Sequence, residues 1–186
     1  MRRPLAVLAG LGLLLFAFGV AFSTPGDDEV QAPFSVAAEV GEETVSRHLV
    51  VTVHDAQLAD EVVVDDWRGT TSGVWLVVDA TIQARTERST VAVNVFVDGV
   101  RYPATGRIGT DAVDGRVADA GFPVTGSVLV ELPADILDHP GARTATVRFS
   151  SGIDARLDSV IDLEFDLTSL PSESRTERDP AREGDR

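Results

Sequence analysis

The sequence predicts an all-β antiparallel sandwich preceded by one N-terminal apolar helix. Three observations carry this. Short runs of alternating apolar and polar residues recur along the chain, turn residues separate them, and no helical period appears after the first two dozen residues. The clearest run is Gly73 to Arg85, GVWLVVDATIQAR. Val74, Leu76, Val78, Ala80, Ile82 and Ala84 fall on one side of an extended chain, and Trp75, Asp79, Thr81, Gln83 and Arg85 mostly on the other. At about 3.3 Å per residue this strand would run roughly 40 Å, enough to serve as a template for its neighbours.

Length and composition set the frame. The chain has 186 residues. Without an apolar N-terminus and a polar tail, the remainder suits one domain large enough to bury a core. It has no cysteine, so disulfides, thiolate metal sites and cysteine lipidation are excluded and the fold must hold by packing. The formal net charge is −14. Arg2 and Arg3 carry the only charges of residues 1–23, and residues 168–186 hold five acids against four arginines, so the folded part is strongly acidic. Such a surface repels phosphate backbones and anionic lipid headgroups. No nucleic-acid partner is expected.

Leu5 to Phe22 is an uncharged apolar run, with Arg2 and Arg3 before it and Asp27, Asp28 and Glu29 after it. It reads as a membrane-targeting segment, residues 1–23, whose basic end stays inside. Either an uncleaved signal anchor or a cleaved signal peptide, cut after Ala21 or Ser23, fits the pattern. Residues 24–33 read as a linker.

The sandwich is expected over residues 34–167. Val36, Ala38 and Val40 alternate before the turn Gly41-Glu42-Glu43. Thr44 to His54 turns Leu49, Val51 and Val53 inward and His48 and His54 outward. Glu61 to Val64 is a less regular run before a loop, Asp65 to Gly73. After the long strand come Val91, Val93, Val95 and Val97, then the hairpin signal Asp98-Gly99. Residues 104–121 are rich in glycine and aspartate and read as the longest irregular stretch. Val128, Val130 and Leu132 resume the alternation. A helical turn at Pro133 to Leu137 is expected to end at His139-Pro140-Gly141. Ala145, Val147 and Phe149 then face inward, followed by Ile161, Leu163, Phe165 and Leu167. Residues 168–186 read as a disordered tail by composition.

Three stretches in this order resemble a known family: Gly73-Val74-Trp75-Leu76-Val77-Val78-Asp79-Ala80-Thr81-Ile82, Val97-Asp98-Gly99-Val100-Arg101-Tyr102, and Gly121 to Pro133. The chain is similar in them to the telokin-like, immunoglobulin-like extracellular domains of unknown function from Gram-positive bacteria. The resemblance covers about residues 34 to 167. It departs after the long strand, where family members often carry Asn-Thr-Gly and this chain has Ala84-Arg85-Thr86-Glu87-Arg88. It implies an immunoglobulin-like sandwich in a cell-surface setting and brings no catalytic residues.

The search for chemistry is mostly negative. The sequence holds no His-Glu-x-x-His, Gly-x-Ser-x-Gly, phosphate loop or dinucleotide-binding glycine motif. His48 and His54 would stand some 20 Å apart on one strand, too far to share a metal ion. His139 reads as a turn residue. Two acidic groups are calcium candidates: Asp162, Glu164 and Asp166 on the last strand, with Asp154 and Asp158 leading in, and Asp111, Asp114 and Asp119 in the irregular stretch. The first is expected to be a polar face that protects an edge strand from pairing, and the second lacks alternating ligand spacing. Trp67, Trp75 and Phe96 are candidates for an exposed contact patch. No catalytic, cofactor-binding or metal residue is therefore assigned. The expected function is a membrane-tethered or secreted extracytoplasmic binding module, not an enzyme, for an unidentified envelope protein or cell-surface ligand. The alternative is an accessory subunit of an envelope or transporter complex.

Overall fold

The structure is a computed structural model that describes residues 3–23 and 30–184. It divides into two compact units, residues 1–32 and 33–186. In the first, α1 spans Arg3–Ser23. Its side chains from Val7 to Phe22 are exposed and mostly apolar, so the apolar surface runs all round the helix. Among the described residues no helix is long and apolar enough to cross a membrane. The expected linker falls largely on residues 24–29, outside the described residues.

The second unit is a β-sandwich of two sheets. Its strands are β1 (Phe34–Ala37), β2 (Glu43–Val45), β3 (Leu49–Val64), β4 (Trp67–Ala84), β5 (Ser89–Val97), β6 (Val100–Pro103), β7 (Val117–Ala118), β8 (Val124–Leu132), β9 (Ala145–Ser151), β10 (Ser159–Phe165), β11 (Ser172–Glu173), β12 (Thr176–Arg178) and β13 (Arg182–Glu183). One sheet runs β1-β10-β9-β5-β6, with β7 also on β5. The other runs β11-β3-β4-β8-β13, with β2 and β12 also on β3. The arrangement is not wholly antiparallel, because β1 joins β10, and β11 and β12 join β3, in parallel.

The alternation places the core as the sequence implies. Leu49, Val51 and Val53 of β3, the even-numbered residues Val74 to Ala84 of β4, and Val91 to Val97 of β5 all bury their inward side chains. Val128, Val130, Leu132, Val147, Phe149, Ile161, Leu163 and Phe165 complete the same cluster. The Asp98-Gly99 hairpin forms, with both residues at positive φ (49° and 77°), as a two-residue turn between twisted strands requires. The first alternating run is the exception: Val36 and Ala38 are only partly buried, and Val40 is half exposed in the turn before β2.

The expected loop at Asp65 to Gly73 is instead strand. β3 and β4 form one long hairpin whose turn is only Asp65-Asp66, Asp65 taking the left-handed conformation that aspartate tolerates (φ 50°). The ladder is broken at two places, between Val53 and Asp55 and between Ala59 and Glu61. At the second break, two residue steps on β3 face five on β4, because Ala59 opposes Trp75 and Glu61 opposes Thr70. Irregularity of this size bends a strand pair sharply. The arm beyond it turns back over the outward face of its own sheet. Trp67 and Trp75, which lie far apart along a straight strand, consequently meet edge to face with ring centroids 6.0 Å apart.

This arm creates a second core on the outward side of the sheet. Val62 and Val64 of the arm, with Ile108 and Ala112 of the irregular stretch, cover Trp75, Val77 and Leu129. Two glycines permit the fold-back. A Cβ on Gly69 would fall 2.1 Å from the Trp67 ring, and one on Gly73 would fall 2.0 Å from the Leu132 carbonyl oxygen. The expectation of an outward, exposed Trp75 is thus overturned, and Trp75 is fully buried. Trp67 and Phe96 are partly buried.

The expected disordered tail is also overturned for residues 168–184. After a short 3-10 turn at Leu167–Ser169, the chain adds β11 and β12 to the free edge of β3 and β13 to the edge of β8. Thr176 and Ala181 are buried, and the Ala181 amide donates to the Asp111 carbonyl at 2.9 Å. The segment needs no core of its own, because it satisfies backbone groups that edge strands leave unpaired. We expect the Ala181 amide to exchange slowly with deuterium in the folded protein. Gly126→Val should abolish that protection, since even a Cβ at Gly126 lies 2.6 Å from Ala181 Cβ. Random-coil exchange of Ala181 in the unaltered chain would contradict the ordered segment.

Candidate functional site

The C-terminal segment brings distant residues together beside the bent arm. Asp79 of β4 lies on the outward face, flanked in register by Asp55 and by Ser127 of β8. Arg178 of β12 donates through Nε to both Asp79 carboxylate oxygens, at 3.2 and 3.0 Å. Ser127 Oγ donates to Asp79 Oδ1 at 2.5 Å. Beneath this pair Thr176 Oγ1 accepts from Gln57 Nε2 at 2.8 Å and from Arg178 Nη1 at 2.6 Å. Arg178 thus commits its Nε and Nη1 donors within the fold.

Two adjoining clefts share Asp79, Arg178 and Asp179. The larger, about 590 Å³, is lined by Val63, Asp65, Asp79, Glu177, Arg178 and Asp179. The smaller, about 240 Å³, continues toward Thr125, Ser127 and Arg182. Four carboxylates thus border the larger cleft, against one guanidinium already committed to Asp79. The result is an open acidic surface that suits a cationic group and repels an anionic one.

The residues singled out in the sequence go elsewhere. Asp162 is held by both Arg148 Nε and Nη2 at 2.7 Å and accepts from Ser35 Oγ at 2.7 Å. Arg148 also lies over the Phe96 ring, 4.9 Å from its centroid. β10 is not the sheet edge, because β1 covers it, so the expected edge-protecting role of this acidic face does not hold. Asp166 accepts from the Thr168 amide and hydroxyl, at 3.0 and 2.6 Å, and Glu164 is exposed. In the irregular stretch Asp119 pairs with Arg88, and Asp114 accepts from the Val93 amide at 2.7 Å. Among the described residues no three acids or histidines converge on a metal-binding point.

The histidines are dispersed. His48 Nε2 lies 3.2 Å from Asp158 Oδ1, His54 Nε2 hydrogen-bonds Thr81 Oγ1 at 2.8 Å, and His139 Nδ1 accepts from the Gly141 amide at 3.2 Å. His48 is half-buried, where an outward solvated side chain was expected.

Neighbouring groups tune some of the carboxyls. The Arg88 hydrogen bond holds the Asp119 carboxyl below the usual carboxylate range, and burial pushes the Asp114 carboxyl up. Hydrogen bonds from Arg156 bring Asp154 down to about 2. An NMR titration should find the Asp154 carboxyl titrating near that value, and Arg156→Gln should return it toward the ordinary range. Because its folded value is depressed, any contribution of Asp154 to stability is present at neutral pH and lost as pH falls toward 2. An Asp154 midpoint unchanged by Arg156→Gln would refute the pairing.

Sequence reasoning missed the Asp79–Arg178 pair because Arg178 fell in a segment read as disordered. The signal available was Asp79 itself, a lone acid beside the apolar run Val74–Val78.

No family model matches the chain, and no curated relative does. Among solved structures the chain is similar to an uncharacterized β-sandwich protein from Clostridium difficile 630, with 13% identity and a TM-score of 0.44, over 76% of this chain and 99% of that one. It is also similar to the yjhA protein from Bacillus subtilis, with 13% identity and a TM-score of 0.45, over 67% of this chain and 98% of that one. At this level of similarity no function passes from either to this chain.

Proposed function

We propose that the protein is an extracytoplasmic, non-enzymatic interaction module of the immunoglobulin-like sandwich type. Its larger cleft takes a cationic segment of an envelope protein. The observation that carries this reading is the ring of Asp65, Asp79, Glu177 and Asp179 around an internally paired Arg178. The acidic folded unit supports it, since the same charge that attracts a basic partner repels nucleic acid. The N-terminal segment acts as the export signal, its basic residues Arg2 and Arg3 remaining inside.

A pull-down with residues 24–186 set beside the full chain tests the module. Both should retain the same partner. Combining Asp65→Asn, Glu177→Gln and Asp179→Asn should release it, and raised salt should weaken it. Retention by the triple variant would defeat the proposed face. The uncovered apolar side chains of α1 favour a second reading, an accessory subunit assembled through its helix, in which only the full chain retains the partner. An impermeant thiol reagent on Ser174→Cys in intact cells tests the location, because Ser174 is exposed and protection from the reagent would place the domain inside.

A further inference from the structure

A separate cavity of about 250 Å³ lies on the outward face of the six-stranded sheet and shares no lining residue with the acidic clefts. The topology creates it. β6 leaves the edge of β5 after Pro103, where Ala104 N donates to Val93 O and Thr105 N donates to Leu129 O of the other sheet. The chain rejoins the β5 edge only at Gly115, whose amide donates to Val91 O. Between these points Asp114 reaches in and takes the Val93 amide on Oδ1 at 2.7 Å. The gap leaves a hollow over Ala92 and Asn94, walled by Pro103 and Ile153.

Three polar groups on this hollow keep bonding capacity to spare: the Asn94 side chain, the exposed Arg101, and Asp114, whose carboxylate takes only the Val93 amide. Asn94 is only 9% exposed, and its side-chain amide makes no hydrogen bond among the described residues. Its side-chain amide is not sealed in protein but opens onto the hollow, where its donors and acceptor are available to a guest. Asp114 has no cation against it and Arg101 has no carboxylate, again among the described residues. Unpaired charges of opposite sign therefore border one largely apolar hollow. A simple cation would be repelled by Arg101, and a simple anion by Asp114.

We infer that this cavity binds a small zwitterion, an α-amino acid with an apolar side chain. Its ammonium group goes to Asp114, its carboxylate to Arg101, and its side chain against Ala92, Pro103 and Ile153, while Asn94 hydrogen-bonds the head group. The volume lies below the roughly 300–1,000 Å³ of drug-sized sites, which suits an amino acid better than a nucleotide or sugar chain. This inference is independent of the acidic clefts and of where the protein resides.

The test is calorimetric titration of the full chain with L-leucine, L-leucinamide and N-acetyl-L-leucine, with backbone NMR shifts of Ala92 and Asn94 followed in parallel. Leucine is expected to bind, and each blocked form, which lacks one charge, to bind at least about tenfold more weakly, as loss of a charged hydrogen bond implies. Asp114→Asn, which keeps the oxygen that accepts from Val93, and Arg101→Gln should each weaken leucine by a similar factor. Asn94→Ala should weaken all three ligands. No binding of leucine at millimolar concentration would overturn the inference. So would blocked forms that bind as tightly as leucine, or folded charge variants that bind it unchanged.

Discussion

Phe149→Ala is expected to destabilise the sandwich unit by about 3–5 kcal/mol. Phe149 is fully buried at the centre of the six-stranded sheet, paired in register with Val93 of β5 and Ile161 of β10. Truncation removes a large apolar side chain and leaves a void that neighbours held in two sheets cannot close. The void therefore adds to the lost transfer free energy. Urea unfolding measures the effect as a lower midpoint at unchanged slope. A loss below about 1 kcal/mol would mean that this face does not form the core.

Trp75→Ala should cost a comparable amount, about 3–5 kcal/mol, for a different reason. Trp75 belongs to the second core, on the opposite side of β4 from Leu76. Its loss uncouples the bent arm from the sheet, because Trp67, Val62 and Val64 pack around it. Its indole Nε1 is buried and has no hydrogen-bond partner among the described residues. Trp75→Phe consequently sacrifices no such bond, and it should cost clearly less than Trp75→Ala. The two substitutions together separate the layer from the alternative of a surface tryptophan. An exposed Trp75 would give a loss under about 0.5 kcal/mol for either. Trp75→Ala should also speed proteolysis within residues 61–73, which Phe149→Ala would do only by unfolding the whole unit.

Much of the sandwich was legible in the sequence because its signal is local. Val91, Val93, Val95 and Val97, or Ala145, Val147 and Phe149, declare their buried face by alternation alone, and the structure buries each of them. Asp98-Gly99 announces its turn through two residues that tolerate positive φ. Alternation failed where a strand is covered on both sides. Val74 to Val78 is an unbroken apolar run, a pattern that itself indicates burial of both faces, and a one-sided reading turned Trp75 outward.

The candidate site was the least legible part, because none of its contacts is local. Asp79 and Arg178 are far apart in sequence and belong to different strands. Composition marked residues 168–184 as unable to build a core, which is correct, and so gave no hint that they would borrow one from the edges of β3 and β8. The hollow over Asn94 likewise depends on where β6 leaves the β5 edge and where Gly115 rejoins it, a choice made by backbone hydrogen bonds.

By itself the sequence determined the all-β class, the apolar N-terminal segment, the strongly acidic character and the inward residues of most strands. All of these follow from residue type and spacing, which act over a few positions. The tertiary structure alone decided the fold-back of the β3–β4 arm, the second core around Trp75, the ordered C-terminal segment and the pairing of Asp79 with Arg178. Those depend on which strand edges and faces remain unsatisfied after the first sheets form, and such vacancies exist only in the assembled chain.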